Sequence, residues 1–403
     1  MRAPGEGVGS FALESAVDQL AHELGVDPVG LRMRNEPDRD PVSGKPFTRR
    51  NLREAYARGA ERFGWAARSR APRSMTAGGK LVGWGVATAF HMPFKLPADL
   101  TVRIGVDGSV LVRCAFHEIG VGAATAVTQI TADALGVPVE AVTVEYGDTA
   151  LPIGPGAGGS VQTASVAASV LEAGDELRRA ALSLARRAPA SPLHGLRPAD
   201  VQPRDGGLHR ADGAGETYAA ILACAGRPAL EARVGARSRV GRAVGQVRFM
   251  AGLVNDRRRW VRAATGAHFC EVQVDADTGE VRVTRWVSVF DVGRVVNAKL
   301  AASQLRGGVV MGIGAALSEE TLVDARSGRI VNPGLAEYHV PVQADVPRLD
   351  VTYLDEPDPT MPLGLLGVGE VGITGAAAAV ANAVHHATGV RVTDLPIRLD
   401  RLW

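Results

Sequence analysis

Glu370 is the one ionisable side chain in the stretch Gly367-Val-Gly-Glu-Val-Gly-Ile-Thr-Gly375. Glycine carries no Cβ, so the backbone on either side of Glu370 can come close to a bound molecule. A carboxylate set in such a frame is a candidate general base. The plainer reading is a solvated loop acid. A proline-rich turn, Glu356-Pro-Asp-Pro359 to Pro362, precedes the stretch, and an alanine-rich run over 376–388 follows it with the look of a buried helix. The N-terminus of that helix favours the ionised form of Glu370, the form that a base requires.

Three further glycine-rich segments could receive an anion. His117-Glu-Ile-Gly-Val-Gly122 lies between a strand-like and a helical run, where backbone amides and glycines suit a phosphate; an ordinary turn reads the same way. Gly154-Pro-Gly-Ala-Gly-Gly-Ser160-Val-Gln-Thr163 also leads into a helix. Ser160 and Thr163 there suit either a helix cap or a phosphate contact. No P-loop lysine accompanies it, which argues against a nucleoside triphosphate. The third region is Asp291-Val-Gly293 with Gln304-Leu-Arg-Gly-Gly308, where the Gln304 amide offers both a donor and an acceptor. Three such loops and one isolated carboxylate point to a large phosphate-bearing cofactor.

The other chemical residues carry less. Cys114, Cys224 and Cys270 form no CxxC pair, so a disulfide framework or a cysteine-ligated zinc or iron–sulfur site is not expected. Three scattered thiols fit buried apolar positions or a reducing compartment. His385 and His386 fall near a helix C-terminus, where positive charge is welcome, and His268 and His339 sit in strand-like runs as structural residues. GxSxG and HExxH are absent, leaving serine hydrolase and zinc protease readings without support.

The elements that must hold these residues can be placed by periodicity. Ser10 is read as the cap of a helix from Phe11 to Leu24, and Asp27-Pro28 opens a second helix. Residues 51–63 form a third, and 68–80 read as a linker. Strands follow at 81–90, 100–106, 110–115 and 139–146, with Asp107-Gly108 turning a hairpin. Helices are expected at 123–135, 164–186 and 217–225, with a loop-rich stretch over 189–215. Residues 268–274 and 280–286 pair as another hairpin before a helix at 301–317, and 321–331 hold a further hairpin. Hairpin, glycine turn and helix thus occur twice, at 100–135 and 268–317, as in two related subdomains facing a shared cleft.

The chain has 403 residues, enough for a large core, and a formal net charge of +2, which gives no sign of a nucleic-acid or anionic-membrane partner. No apolar run approaches the ~20 residues of a membrane span. Met1-Arg-Ala-Pro-Gly-Glu-Gly has no signal-peptide pattern and reads like a loop from inside a domain.

In their order and spacing these segments resemble the molybdopterin-binding large subunit of the xanthine dehydrogenase family, nearest to bacterial aldehyde oxidoreductases that use a molybdopterin–cytosine dinucleotide. The resemblance rests on Met1-Arg-Ala-Pro-Gly5 and the Phe-Ala-x-Glu helix after it, Asp27-Pro with Leu31-Arg32, and His117-Glu-Ile-Gly-Val-Gly122. It rests equally on Gly158-Gly-Ser160 with Thr163, Phe290-Asp-Val-Gly-Arg-Val-Val-Asn297, Gln304-Leu-x-Gly-Gly308 and Gly367-Val-Gly-Glu370. It implies an α+β fold of two hairpin-plus-helix subdomains. It divides the chain into the end of a first cofactor subdomain (1–80) and two parts of a second (81–235 and 236–403).

By the same resemblance Glu370 is the base beside molybdenum, and water-derived oxygen is delivered to an aldehyde or an N-heterocycle such as a purine. Arg2, Gly120, Gly122, Gly158, Gly159, Ser160, Thr163, Gln304 and Gly369 contact the cofactor. The metal takes no protein ligand, being held by the pterin. Iron–sulfur and FAD groups belong to partner subunits, and the cytoplasm, or a periplasm reached with an exported partner, is the expected compartment. The pattern departs at His117, where the family usually carries Gln, and at Val161, inserted between Ser and Gln. Family large subunits are nearly twice as long. The chain therefore matches a C-terminal part lacking the N-terminal half, with helices 11–24 and 51–63 expected to pack on that half, supplied by another polypeptide. A non-catalytic remnant that only binds partner subunits is the rival reading.

Overall fold

The protein was analysed as a computed structural model, which describes residues 2–235 and 258–402, with 247, 250 and 254 between them. Packing divides it into two units that interleave along the chain. Unit 1 comprises 1–93, 260–359 and 364–403, and unit 2 comprises 94–259 and 360–363. Strand pairing explains the interleaving of unit 1, because residues 81–91 pair with 264–274, across the whole of unit 2's main segment.

Unit 1 is built on a five-stranded sheet in the order β1 (Met75–Ala77), β2 (Lys80–His91), β10 (Ala264–Val274), β11 (Val281–Asp291), β12 (Arg348–Leu354). All neighbours are antiparallel except β11 and β12, which run parallel. Alternation along β10 sends Ala267 and Phe269 to one face and Cys270, Val272 and Val274 to the other. On the first face lies α3 (Leu52–Phe63), whose Leu52, Ala55, Tyr56 and Phe63 are buried. The expectation that this helix waits for a missing half is therefore corrected: its apolar face is satisfied within unit 1. On the second face lies α8 (Ala376–Thr388), every residue of which is buried. Alanine lets it sink onto the sheet, and glycine completes the approach. A Cβ on Gly83 would stand 1.9 Å from the Ala383 carbonyl oxygen, and one on Gly85 2.3 Å from that of Ala379.

The first helix departs from expectation. α1 spans Glu6–Glu23, so Ser10 lies inside it rather than capping it. It docks by its polar side: Glu14 and Asp18 are buried. Glu14 accepts from Arg32 and from the Thr88 amide, each at 2.8 Å, and Asp18 pairs with Arg391 at 2.8 Å. Val8, Leu13, Leu20 and Leu24 face outward, exposed by 51% or more. The next helix, α2 (Pro28–Asn35), is capped as expected, the Asp27 side chain accepting from the Gly30 amide at 2.8 Å. Of the 321–331 hairpin, the structure shows a single bridge, Val323 with Ile330.

α7 (Ala298–Leu317) is long and apolar enough to cross a membrane by length and composition only, a test that a core helix also passes. Its Leu305, Val309, Ile313 and Ala316 are core residues of this unit.

Unit 2 holds a sheet in the order β5 (Val142–Glu145), β4 (Val110–Arg113), β3 (Leu100–Gly105), β9 (Ala229–Val234). The expected β3–β4 hairpin is present, with Gly108 at φ 82° in its turn. Two helices, α4 (Ala123–Leu135) and α5 (Gln162–Ala185), complete its core. The stretch read as loop holds a small sheet of β6 (Gln202–Arg204), β7 (Gly207–His209) and β8 (Gly215–Thr217), followed by α6 (Tyr218–Cys224). Hairpin and helix recur in the two units, as β3–β4–α4 and as β10–β11–α7. Cys114 and Cys270 are buried, whereas Cys224 is exposed.

Candidate active site

In unit 1 the chain's start meets its glutamate loop. The Ala3 amide donates to Glu370 Oε1 at 3.1 Å. Ala3 holds φ 50°, a conformation that non-glycine residues adopt rarely, and so its amide faces the carboxylate. Arg2 grips the same loop: Nε donates to the Gly369 carbonyl at 2.5 Å and Nη2 to that of Gln304 at 2.6 Å. Burial lowers the Arg2 pKa, with Glu370 opposing the shift. Arg2, Gln304, Gly369 and Glu370 are thus brought together, the Gln304 contact running through its backbone carbonyl.

Glycine in this loop serves packing as much as openness. A Cβ on Gly372 would lie 2.7 Å from the Leu305 carbonyl oxygen, one on Gly308 2.6 Å from the Gly372 carbonyl carbon, and one on Gly375 2.1 Å from the Thr88 carbonyl oxygen. The far end of the loop is pinned by Ser10, whose Oγ accepts from the Gly375 amide at 2.8 Å, and by Thr374, whose Oγ1 accepts from the Phe90 amide at 2.9 Å. His268 ties it to the sheet, with Nδ1 2.7 Å from Ser288 Oγ and Nε2 3.0 Å from the Thr374 carbonyl. Ser10 and Thr374 are positioning residues that sequence reasoning missed.

Glu370 is 9% exposed, and its Oε2 has no hydrogen bond among the described residues. The His91 Nε2 stands 3.5 Å away, outside hydrogen-bonding geometry, while His91 Nδ1 is 2.6 Å from Glu6 Oε2. Neither His91 nor Glu6 was singled out by sequence.

In unit 2 the loops at 117–122 and 154–163 touch: Gln162 Nε2 donates to the His117 carbonyl at 2.7 Å. Glu118 folds back so that its Oε1 accepts from the amides of Gly120 (2.8 Å) and Gly122 (3.1 Å), and its Oε2 from that of Ala124 (3.3 Å). Burial works against the charge, but these amides outweigh it and hold the Glu118 carboxyl below its usual value. The Gly120 and Gly122 amides expected to meet a phosphate are taken by a carboxylate of the same loop. In the second loop Ser160, at φ 54°, caps nothing: α5 has no side-chain cap, and Thr163 lies in its first turn. Ser160 Oγ and Gln162 Oε1 are buried without a partner among the described residues.

The remaining histidines are settled by burial. His386 accepts from the Trp84 amide at Nδ1 (3.0 Å) and meets the Ser69 carbonyl at Nε2 (2.8 Å). Burial, with Arg68 nearby, pushes His386 down to about 4, and burial with Arg391 pushes His385 to about 3. The reading of this pair as welcome cations is corrected: they are neutral core residues. His339 lies in an exposed irregular segment rather than in a strand. Among the described residues no three His, Cys, Asp or Glu side chains gather to hold a metal.

A buried polar atom left unmet costs about 1–3 kcal/mol. Glu370 Oε2 in unit 1, and Ser160 Oγ and Gln162 Oε1 in unit 2, are such atoms, on or just after a glycine-bearing loop. Those residues fit a polar group supplied from outside the chain.

An α+β chain with glycine loops of this kind belongs among cofactor-binding proteins. The comparisons fix which. Residues 58–347 match a molybdopterin cofactor-binding domain, and residues 1–36 match a second domain of that description. The chain belongs to this molybdopterin cofactor-binding family. It is 39% identical over its whole length to the aldehyde oxidoreductase molybdenum-binding subunit PaoC of Escherichia coli K12, covering 51% of that protein. It is 31% identical, again over its whole length, to the putative xanthine dehydrogenase molybdenum-binding subunit XdhA of the same strain, covering 52%. The crystal structure of quinoline 2-oxidoreductase from Pseudomonas putida 86 superposes with a TM-score of 0.81 at 26% identity, over 98% of this chain and 51% of that one. The chain thus spans about half the length of the relatives it matches.

Proposed function

We propose that this chain is the catalytic portion of a molybdenum hydroxylase that oxidises aldehydes to carboxylic acids. The observation that carries the reading is the buried Glu370 carboxylate, held at Oε1 by the Ala3 amide and unmet at Oε2 among the described residues. A molybdenum–pterin cofactor, when bound, supplies a two-electron sink and an activated water-derived oxygen. Glu370 Oε2 takes the proton, as a general base. Ala3 fixes the orientation of the carboxylate, and Arg2 holds the backbone of Gly369 and Gln304 so that the base keeps its place. Gly158, Gly159, Ser160, Thr163 and Gln162 serve the cofactor's pterin and phosphate end, in the cytosine dinucleotide form. Gly120 and Gly122, on the loop whose His117 carbonyl Gln162 meets, serve the same end.

The aldehyde substrate is supported by the 39% identity to an aldehyde oxidoreductase subunit. A second reading, hydroxylation of an N-heterocycle, is supported by the likeness to quinoline 2-oxidoreductase and by 28% identity to the large subunit of nicotine 6-hydroxylase of Paenarthrobacter nicotinovorans. Iron–sulfur and FAD subunits take the electrons onward. The outward Val8, Leu13 and Leu20 of α1, with Leu24 just after it, form an apolar face that a further polypeptide would cover. Co-expression with adjacent reading frames, molybdenum analysis and parallel aldehyde, quinoline and purine assays test the proposal. Molybdenum with aldehyde turnover supports it; a molybdenum-loaded complex inert toward all three contradicts it.

A further inference from the structure

A buried base that takes up a proton must pass it on before it can act again. The groups that meet Glu370 from the chain's start cannot receive it, because the Ala3 amide and the Arg2 guanidinium are donors only. His91 can. It is the last residue of β2 and is 5% exposed, and its ring stands between two carboxylates. Nε2 faces Glu370 Oε2 across 3.5 Å, and Nδ1 meets Glu6 Oε2 at 2.6 Å. Glu6 opens α1, and its side chain is 30% exposed against 12% for that of Glu370. Its other oxygen, Oε1, accepts from the Met92 amide at 3.4 Å, which holds the carboxyl toward the ring. Buried base, imidazole and half-exposed acid therefore form a row that ends at the surface.

We propose that His91 and Glu6 relay the proton from Glu370 to solvent. This rests on the reading of Glu370 as the base. The O–H bond at Glu370 Oε2 breaks as an N–H bond forms at His91 Nε2. The N–H bond at Nδ1 breaks as an O–H bond forms at Glu6 Oε2, and Glu6 releases that proton to water. No electrons change hands, and the starting tautomer returns when the neutral ring gives its Nε2 proton to water and takes one from water at Nδ1. The long distance from Nε2 to Oε2 fits a contact that closes only while the shared proton is present, as catalytic hydrogen bonds commonly do. A purely structural His91 would tether α1 to β2 and have no effect on proton transfer.

The test uses the assembled holoenzyme with His91→Ala and Glu6→Gln. His91→Ala is expected to keep its molybdenum and KM while kcat falls about 100-fold, and added imidazole is expected to restore much of the loss. Glu6→Gln is expected to lower kcat about 10-fold. A readout independent of turnover is deuterium exchange at the His91 ring C2–H, followed by mass spectrometry in the complex. Its rate is expected to change with either Glu6→Gln or Glu370→Gln. Wild-type kcat in either variant, a loss that imidazole does not rescue, or an unchanged exchange rate overturns the relay. Should His91→Ala fail to load cofactor, Glu6→Gln and the exchange rate decide. Turnover retained in Glu370→Gln removes the base itself, whereas an inactive Glu370→Gln beside wild-type His91 and Glu6 variants removes only the relay.

Discussion

Arg2 donates from Nε to the carbonyl of Gly369 at 2.5 Å, joining residues 367 positions apart. A second bond from the same guanidinium, to the Gln304 carbonyl, brings α7 to that junction. Two elements remote in sequence thus share one cation beside the glutamate.

Arg2→Ala leaves both carbonyls without their charged donor. A hydrogen bond to a charged group contributes about 1.5–3 kcal/mol. The variant is expected to lose about 2 kcal/mol in a denaturant titration and about tenfold in kcat. Arg2→Lys is expected to recover little of either, because an ammonium cannot reproduce the guanidinium fork. Full recovery by lysine would show that only the charge matters.

Backbone packing under α8 gives a second outcome. A Cβ at Gly83 would meet the Ala383 carbonyl oxygen at 1.9 Å, whereas one at Gly9, inside α1, would meet nothing within 4 Å. Gly83→Ala is expected to destabilise by roughly 1–3 kcal/mol, as overpacking does. Gly9→Ala is expected to stabilise by about 0.5–1 kcal/mol through helix propensity and chain entropy. Melting temperatures of the two variants moving in opposite directions check both.

Much of this was legible in the residues. The helices at 123–135 and 376–388 are where periodicity puts them, because a glycine in the left-handed region stands at each end of both. The glutamate loop announced itself through its lone carboxylate. What the sequence hid is long-range. The fold-back of Glu118 onto its own amides, the use of Ser10 by Gly375 and the approach of His91 to Glu370 depend on tertiary placement. α1 misled for a physical reason: its buried side is charged and neutralised by Arg32 and Arg391, so apolar periodicity pointed outward. The strands of 202–217 were too short, and too rich in glycine, for alternation to show.

Burial pushes both His268 and His386 down to about 4 from an ordinary 6.5. The folded chain keeps these rings neutral, while the unfolded chain takes up protons once the pH falls below 6.5. Their contribution is therefore fully present above that pH and is lost as the pH falls from about 6.5 to about 4, on the order of 3 kcal/mol for each ring. Protonating His386 Nδ1 would also remove the acceptor of the Trp84 amide. In His386→Gln, the stability gap to the wild type is expected to narrow as the pH drops through this window. Parallel denaturant titrations at pH 7.5, 6 and 5 measure it, and a gap that stays constant contradicts the assignment.

The central claim is that Glu370 is the base and has no part in holding the fold or the cofactor. Glu370→Gln keeps the shape and the Oε1 acceptor that the Ala3 amide uses, and removes the proton acceptor at the other end. The most direct measurement is kcat per bound molybdenum in the assembled Glu370→Gln complex. The account predicts wild-type molybdenum content with turnover at least 100-fold lower; wild-type turnover per molybdenum would contradict it.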